Sequence, residues 1–137
     1  MKYECRYAAE HDIDLLTNLD KHITPTELRN SVALNRVLLM CDGDRVIGWL
    51  RYNLFWDNTP FMNMLYIIDG ERGNGCGSEL VACWENSMKE LGYDKVLTST
   101  QSDERGQFFY RKHGYNDCGC LLLPGETAEI LFYKSLK

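Results

Sequence analysis

Residues 71–80, ERGNGCGSEL, constrain the fold of this chain more than any other stretch. Glycine occupies positions 73, 75 and 77, after the apolar run MNMLYII and before SELVACWENSMKELG, whose apolar spacing predicts a helix. Glycine destabilises a helix start, because it has the most backbone freedom to lose, unless something must come close to the backbone. The segment therefore predicts a strand, a tight loop and a helix start arranged around a ligand.

A strand–loop–helix junction of this kind is typical of an anion site, because N–H groups converge in the first helical turn and the helix dipole favours negative charge. Arg72 would add a charge-assisted pair at the mouth of the loop. The expected ligand is a phosphate or pyrophosphate, and a plain tight turn is the alternative. Two common phosphate loops do not fit: no Gly-Lys-Ser/Thr is present, and the spacing G-x-G-x-G differs from G-x-G-x-x-G.

The rest of the pattern predicts a single domain, residues 1–137, of α/β or α+β class. Its element order is β-α-α-β-β-β-α-β-α-β-β, with an antiparallel start and a parallel β-α-β crossover in the middle. Thr24 is expected to cap a helix that starts at Pro25, Asp42-Gly43 to form a hairpin turn, and Asp103 to cap a late helix. The apolar run FMNMLYII predicts a strand buried on both faces.

Composition restricts the partners. The net charge of −5 argues against nucleic acid, because phosphate contacts favour basic surfaces. No apolar run is long enough to span a bilayer, and the N-terminal segment has no secretory core, so we expect a cytoplasmic protein without a membrane partner. The six cysteines and three histidines show no zinc-ligand spacing, so no metal site is predicted.

Two motifs resemble the GCN5-related N-acetyltransferase (GNAT) family. The first is Arg-x-x-Gly-x-Gly, formed by Arg72, Gly75 and Gly77 after the apolar strand. The second is FFYRKHGY, in which Tyr110 stands near a helix end, shortly before a glycine and an aromatic residue. The resemblance covers nearly the whole chain. It implies a mixed, mostly antiparallel central sheet flanked by about four helices.

The resemblance also implies an enzyme, an N-acetyltransferase that takes its acetyl group from acetyl-coenzyme A (acetyl-CoA) and uses no metal. The backbone of residues 72–78 would wrap the pyrophosphate, and residues 65–67 would pair with the pantetheine arm and direct an amide at the thioester oxygen. Tyr110 would protonate the departing thiolate, although from the residues alone it is equally well a core aromatic. The implied cofactor-binding residues are Leu65, Tyr66, Ile67, Arg72, Gly73, Asn74, Gly75, Cys76, Gly77 and Ser78.

The acceptor is expected to be a primary amine of a small molecule or peptide, and no residue identifies it. The strand before the glycine loop has no carboxylate, and Asp57 is better suited to a turn than to a general base. Tyr52, Phe55 and Trp56 either line an acceptor slot or simply cover the sheet. Two other functions stay open: a non-catalytic acyl-CoA-binding or sensing module, and a transferase for a longer acyl group. We expect a monomer or a homodimer, since edge strands invite pairing.

Overall fold

We describe residues 3–137 of the protein from a computed structural model. Within these residues the strands are β1 (Tyr3–Tyr7), β2 (Val37–Asp42), β3 (Arg45–Phe55), β4 (Thr59–Ile67), β5 (Lys95–Gln101), β6 (Asn116–Leu121) and β7 (Glu129–Ser135). The helices are α1 (Ile13–Leu19), α2 (Pro25–Ala33), α3 (Cys76–Glu90) and α4 (Gly106–Lys112), and a short 3-10 helix at Glu10–Asp12 precedes α1.

The strands form one sheet in the order β1-β2-β3-β4-β5-β7-β6. β4 and β5 are parallel, whereas β1–β2, β2–β3, β5–β7 and β6–β7 are antiparallel. This mixed, mostly antiparallel sheet and the order of the elements confirm the predicted fold class. None of the helices between residues 3 and 137 combines the length and the apolar character that crossing a membrane requires.

The described residues divide into two compact units, and the first comprises residues 3–53 and 64–84. Helices α1 and α2 cover one face of its strands, where Leu16 and Leu28 pack in one cluster with Trp49 of β3. The opposite face of β3 carries Tyr52, because successive side chains of a strand alternate between faces. The Tyr52 ring lies 5.9 Å from the ring of the fully buried Trp84, which places α3 on that second face.

The second unit comprises residues 54–63 and 85–137. The first half of β4 pairs with β5 through Phe61–Leu97 and Met62–Thr98, which is the predicted parallel crossover. Its core is built on the fully buried Phe132 of β7, together with Val96 and Met88. Helix α4 reaches this core through Tyr110, whose ring lies 6.0 Å from that of Phe132.

Two of the predicted turns and caps are present, one of them shifted by a residue. Thr24 accepts a hydrogen bond from the Glu27 N–H (3.3 Å), and α2 starts at Pro25 as predicted. In the hairpin, Asp42 still pairs with Arg45, so the turn residues are 43 and 44. The turn moves because Gly43, with φ of +61°, is the residue that takes the left-handed conformation.

Two other local predictions are wrong. Asp103 does not cap α4: the cap position is Arg105, and no side chain caps the helix. The chain first makes a turn in which the Glu104 N–H donates to the Gln101 carbonyl (3.0 Å), so the helix starts later. β4 is not buried on both faces, since Asn63 and Tyr66 are exposed. An apolar run describes the chemistry of the side chains but not which neighbours cover them.

Candidate active site

The loop between β4 and α3 has the backbone conformation that its glycines predict. Gly73 and Gly75 have φ of +85° and +80°, in the left-handed region that favours glycine. A Cβ added at either position would meet no atom within 4 Å apart from its chain neighbours, so space is open beside this backbone. Gly77 differs, because it lies within the first turn of α3. The loop therefore leads directly into a helix N-terminus, where backbone N–H groups favour an anion.

Arg72 connects this loop to the end of β4. Its Nε donates to the Ile67 carbonyl oxygen (2.8 Å), and its guanidinium lies 5.0 Å from the centre of the Tyr66 ring. Nη1 also forms an ion pair with Asp69 (3.3 Å). The side chain is still 56% exposed, so much of its charge faces solvent at the loop.

Residues 65–67 are held against β3 by close backbone contact. The Ile68 N–H donates to the Ile47 carbonyl (2.9 Å), and the Tyr66 ring stacks on Trp49 with 4.9 Å between ring centres. A Cβ on Gly48 would lie only 2.9 Å from the Tyr66 carbonyl oxygen, so the strands can approach this closely only with glycine there. Sequence reasoning missed Gly48, although an isolated glycine inside a strand pattern is a known signal of close backbone approach.

The other predicted loop residues fall in the same continuous segment of the first unit. Asn74 is exposed between the two left-handed glycines, Cys76 is buried at the start of α3, and Ser78 is half-buried in its first turn. The burial of Cys76 agrees with a supporting role and not with a reactive thiol. The structure thus gathers the predicted cofactor residues into one strand, one loop and one helix start.

Tyr110 belongs to the second unit, where it is 8% exposed. Its ring makes edge contacts with Phe109 (5.3 Å) and Tyr115 (5.5 Å). Burial raises the pKa of Tyr110 to about 12; the Thr98 hydroxyl acts against this change and the Glu104 carboxylate adds to it. The phenol is therefore protonated at neutral pH and is a hydrogen-bond donor there.

Tyr115 is a second buried phenol beside Tyr110, but it has a structural partner. Its hydroxyl donates to Glu85 Oε2 (2.7 Å), and Lys134 Nζ lies 2.9 Å from the other oxygen of the same carboxylate. Burial, and then the Glu85 charge, raise the pKa of Tyr115. Tyr115, just before β6, and Lys134 of β7 thus both bind Glu85 of α3, so Tyr115 is a natural control for Tyr110.

The sequence model of the Acetyltransferase (GNAT) family matches residues 5–115 of the chain. The protein belongs to the GNAT family of acetyltransferases. Its fold is also similar to that of solved GNAT structures, and the TM-scores given below measure this similarity. No curated protein sequence matches the chain significantly.

Three solved structures illustrate the shared fold. A GNAT-family acetyltransferase from Bacillus cereus is 20% identical, with a TM-score of 0.77 and coverage of 97% of this chain and 96% of that one. The ribosomal-protein-S18-alanine N-acetyltransferase from Escherichia coli is 10% identical, with a TM-score of 0.77 and coverage of 98% and 94%. The yncA protein from Salmonella typhimurium, solved with its cofactor acetyl-CoA, is 14% identical, with a TM-score of 0.80 and coverage of 100% and 95%.

As a GNAT protein, the chain is an acyltransferase, and GNAT enzymes use acetyl-CoA as the acetyl donor. The loop of this GNAT chain fits that donor. Open space borders Gly73 and Gly75, the N-terminus of α3 follows directly, and Arg72 supplies exposed positive charge. Among residues 3–137, no group of three or more His, Cys, Asp or Glu side chains is arranged to hold a metal ion.

The aromatic residues that sequence reasoning offered to the acceptor have different surroundings. Tyr52 is 5% exposed and packs on Trp84, so it belongs to the core of the GNAT fold. Phe55 and Trp56 are in ring contact at 4.6 Å, and Trp56 is 78% exposed. Asp57 has φ of +66° and donates its N–H to the Leu54 carbonyl (3.4 Å), which is the geometry of a turn residue.

A buried polar cluster beside Trp49 was not foreseen. Asp20, 2% exposed, follows α1, and Arg51 of β3 is 7% exposed. Asp20 Oδ2 accepts from Arg51 Nε (2.6 Å) and from Trp49 Nε1 (3.2 Å), while Oδ1 accepts from the His22 N–H (3.0 Å). The available signal was an arginine in the middle of the apolar strand RVIGWLRYNLF.

Proposed function

We propose that this GNAT chain acts as one acetyltransferase domain that moves the acetyl group of acetyl-CoA to a primary amine of a small molecule or peptide. The observation that carries the proposal is the junction of β4, the left-handed glycine loop and α3 within the family-matched residues. The Escherichia coli neighbour, whose name specifies an N-acetyltransferase, agrees with an amine as acceptor.

Acetyl-CoA supplies a thioester carbonyl, whose carbon is attacked by the lone pair of a neutral amine. In the step that follows, a C–N bond forms, the C–S bond breaks with its electron pair on sulfur, and the amine nitrogen loses one proton. Negative charge grows on the carbonyl oxygen during the attack. A preorganised backbone N–H that donates to this oxygen lowers the barrier, because it needs no reorganisation when the charge develops.

Strand direction supports a choice of backbone groups for this task. The Ile68 N–H points to β3, where it donates to Ile47. Successive N–H groups of a strand point to opposite sides, so the Tyr66 N–H faces β3 like that of Ile68, while those of Leu65 and Ile67 face away from it. We therefore assign the polarising amide and the pantetheine contact to Leu65 and Ile67. The close approach at Gly48 holds this strand in place.

Tyr110 is the proposed donor to the leaving sulfur. Its pKa of about 12 keeps the proton on the phenol, so a donor is present throughout the neutral range. A thiol has an ordinary pKa of about 8.5, so the phenol is the weaker acid. Tyr110 therefore stabilises the developing thiolate by a hydrogen bond. When the proton moves fully to sulfur, the tyrosinate regains one from solvent, which has received the proton that the amine released.

Thiol release tests the proposal. The protein is incubated with acetyl-CoA and a panel of primary amines, including amino acids, their amides, peptides and polyamines, and free coenzyme A is followed over time. We expect at least one amine to raise thiol release well above hydrolysis and to yield the N-acetyl product by mass spectrometry. Binding of acetyl-CoA without any amine-dependent release would instead support the binding module, and faster release from butyryl-CoA would favour a longer acyl group.

A further inference from the structure

We propose that Arg51 binds a carboxylate group of the acceptor, so that the acceptor is a primary amine that also carries a carboxylate. This inference rests on the proposed acetyl transfer and names its substrate class. It is drawn from a feature of the first unit that the proposed chemistry does not use, the buried cluster of Asp20, Trp49 and Arg51.

The guanidinium of Arg51 is held in a fixed orientation. Its side chain is only 9% exposed, and Nε lies 2.6 Å from Asp20 Oδ2 in an ion pair whose acid is 1% exposed. The carboxylate of Asp20 is fixed in turn by the Trp49 indole N–H and by the His22 backbone N–H. A buried arginine that is oriented in this way loses little conformational freedom when it binds a ligand.

The outer edge of the same guanidinium has no hydrogen-bond partner among residues 3–137 and is not fully buried. Within residues 3–137, Arg51 makes no hydrogen bond or ion pair other than the one through Nε to Asp20. The side-chain nitrogen that is fully buried without a partner in the described chain is Trp84 Nε1, so Nη1 and Nη2 of Arg51 both reach solvent. Two parallel N–H donors on one planar edge match the two oxygens of a carboxylate.

The position of Arg51 on β3 places this edge beside the strand that the proposal assigns to the thioester. β3 and β4 are consecutive strands joined by a short turn, and Ile47 lies opposite Ile68. The same antiparallel register sets Trp49 opposite Tyr66, which their stacked rings confirm. Two residues further along β3, the same register places Arg51 opposite Met64, which directly precedes residues 65–67.

Arg51 and Tyr66 also share a face of the sheet. Trp49 and Arg51 are two residues apart and so project to the same side, about 7 Å from one another along the strand. Tyr66 stacks on Trp49 on this side, and Met64 packs against the hydrophobic cluster that contains Trp49. An amine whose carboxylate is bound by Arg51 is thereby held next to residues 65–67, on the face that Tyr66 covers.

Acceptor pairs that differ only in this charge test the inference. We would measure kcat/KM for alanine and alaninamide, and for other amino acids and their amides, with the unchanged protein and with the Arg51→Met variant. In the unchanged protein we expect the acids to be preferred. In Arg51→Met we expect kcat/KM to fall ~10-fold to 100-fold for the acids and less than about 3-fold for the amides. Dividing the fold loss for an acid by the fold loss for its amide removes the influence of the different basicities of the two amines.

Two further variants separate recognition from folding. Arg51→Lys keeps the charge next to Asp20 but lacks the planar fork, so we expect an intermediate loss for the acids and a melting temperature close to that of the unchanged protein. Arg6→Met removes another arginine–aspartate pair of the first unit, Arg6–Asp12 at 2.8 Å, and should leave the preference for acids intact. Equal losses for acids and amides in both Arg51 variants would show a purely structural role and overturn the inference.

Equilibrium binding distinguishes failure of this inference from failure of the proposed function. If no amine is acetylated although acetyl-CoA binds, the transfer proposal fails, and alanine and alaninamide are then compared by thermal shift in the presence of coenzyme A. A rise in melting temperature with alanine but not with alaninamide, which disappears in Arg51→Met, would still support the carboxylate site. The absence of any difference between the two ligands, in binding or in turnover, would overturn it.

Discussion

The glycine loop and the segment around Tyr110 prepare their chemistry in opposite ways. In the loop, Gly73 and Gly75 offer backbone in a left-handed conformation with open space beside it, and their proposed function lies in having no side chain. Tyr110 is 8% exposed, and its proposed function lies in one hydroxyl whose pKa burial raises to about 12. A backbone site depends on conformation and a side-chain site depends on surroundings, so different substitutions should damage them.

The largest effect is expected from Tyr110→Phe, which removes the proposed donor and keeps the buried ring. We expect kcat to fall roughly 100-fold to 1,000-fold, the range typical of a lost acid–base group. Tyr115→Phe is the matched control, since it removes a neighbouring buried phenol that is bonded to Glu85 and should leave kcat nearly unchanged. A Tyr110→Phe rate within about 3-fold of the unchanged protein would contradict the assignment.

The second expected effect concerns stability in alkali. The pKa of Tyr110 is about 12 in the folded protein, compared with about 10 for an ordinary tyrosine in the unfolded chain. The folded state holds the proton more tightly, so its advantage is complete below pH 10 and is lost as the pH rises towards 12. The loss attributable to Tyr110 is about 3 kcal/mol of unfolding free energy.

Denaturant unfolding of the unchanged protein and of Tyr110→Phe, between pH 9 and pH 11.5, measures this difference. The unchanged protein should lose more stability over this interval than the variant. Tyr115 is present in both proteins, and its own pKa is raised mainly by burial and by Glu85, so most of its contribution cancels from the comparison. Parallel curves for the two proteins would mean that Tyr110 has no raised pKa.

A smaller effect is expected in the loop from Gly75→Ala. A Cβ at this left-handed position has room but strains the backbone by about 1–2 kcal/mol. We expect the free loop to relieve this strain and binding to restore it, so the Kd for acetyl-CoA should rise roughly 10-fold with little change in kcat. Gly125→Ala is the matched control, because Gly125 has φ of +76° and equally open surroundings in the turn between β6 and β7. Titration calorimetry with coenzyme A compares the two, and an equal loss of affinity would argue against the loop as the binding site.

The smallest effect should come from Arg72→Ala. This side chain is 56% exposed and shares its charge with Asp69, so we expect the Kd for acetyl-CoA to rise only about 3-fold to 5-fold, and less at high salt. Arg45→Ala is the control, because its side chain is 55% exposed and pairs with Glu71 beside the loop. Unchanged affinity in Arg72→Ala would remove Arg72 from the pyrophosphate site.

Local patterns predicted most of the fold. The order of the elements, the start of α2 at Pro25 and the glycine loop were all readable, because each depends on residues that are close in sequence. Errors arose where distant contacts compete with local preference. Asp103 is a good capping residue, but the turn at residues 101–104 delays α4. The apolar run of β4 predicted burial that its surroundings do not provide.

In the candidate site too, the features that depend on neighbouring residues were predicted and those that depend on distant contacts were not. The loop residues and Tyr110 were predicted from their motifs, whereas Gly48 and the Asp20–Arg51 pair were not. Gly48 matters because a Cβ added to it would lie only 2.9 Å from the Tyr66 carbonyl oxygen. No local sequence pattern specifies that distance. Asp20 and Arg51 are 31 residues apart in the chain and meet only when α1 packs on β3.

The sequence by itself determined the backbone chemistry of this GNAT protein, because glycine spacing and helix signals act over a few residues. Only the tertiary structure decided the state of its side chains. Tyr110 has a raised pKa because other elements bury it, and Arg51 has an oriented guanidinium with an open edge because Asp20 holds its Nε. Burial and charge pairing depend on which distant residues become neighbours, and the order of residues along the chain does not specify that without the fold.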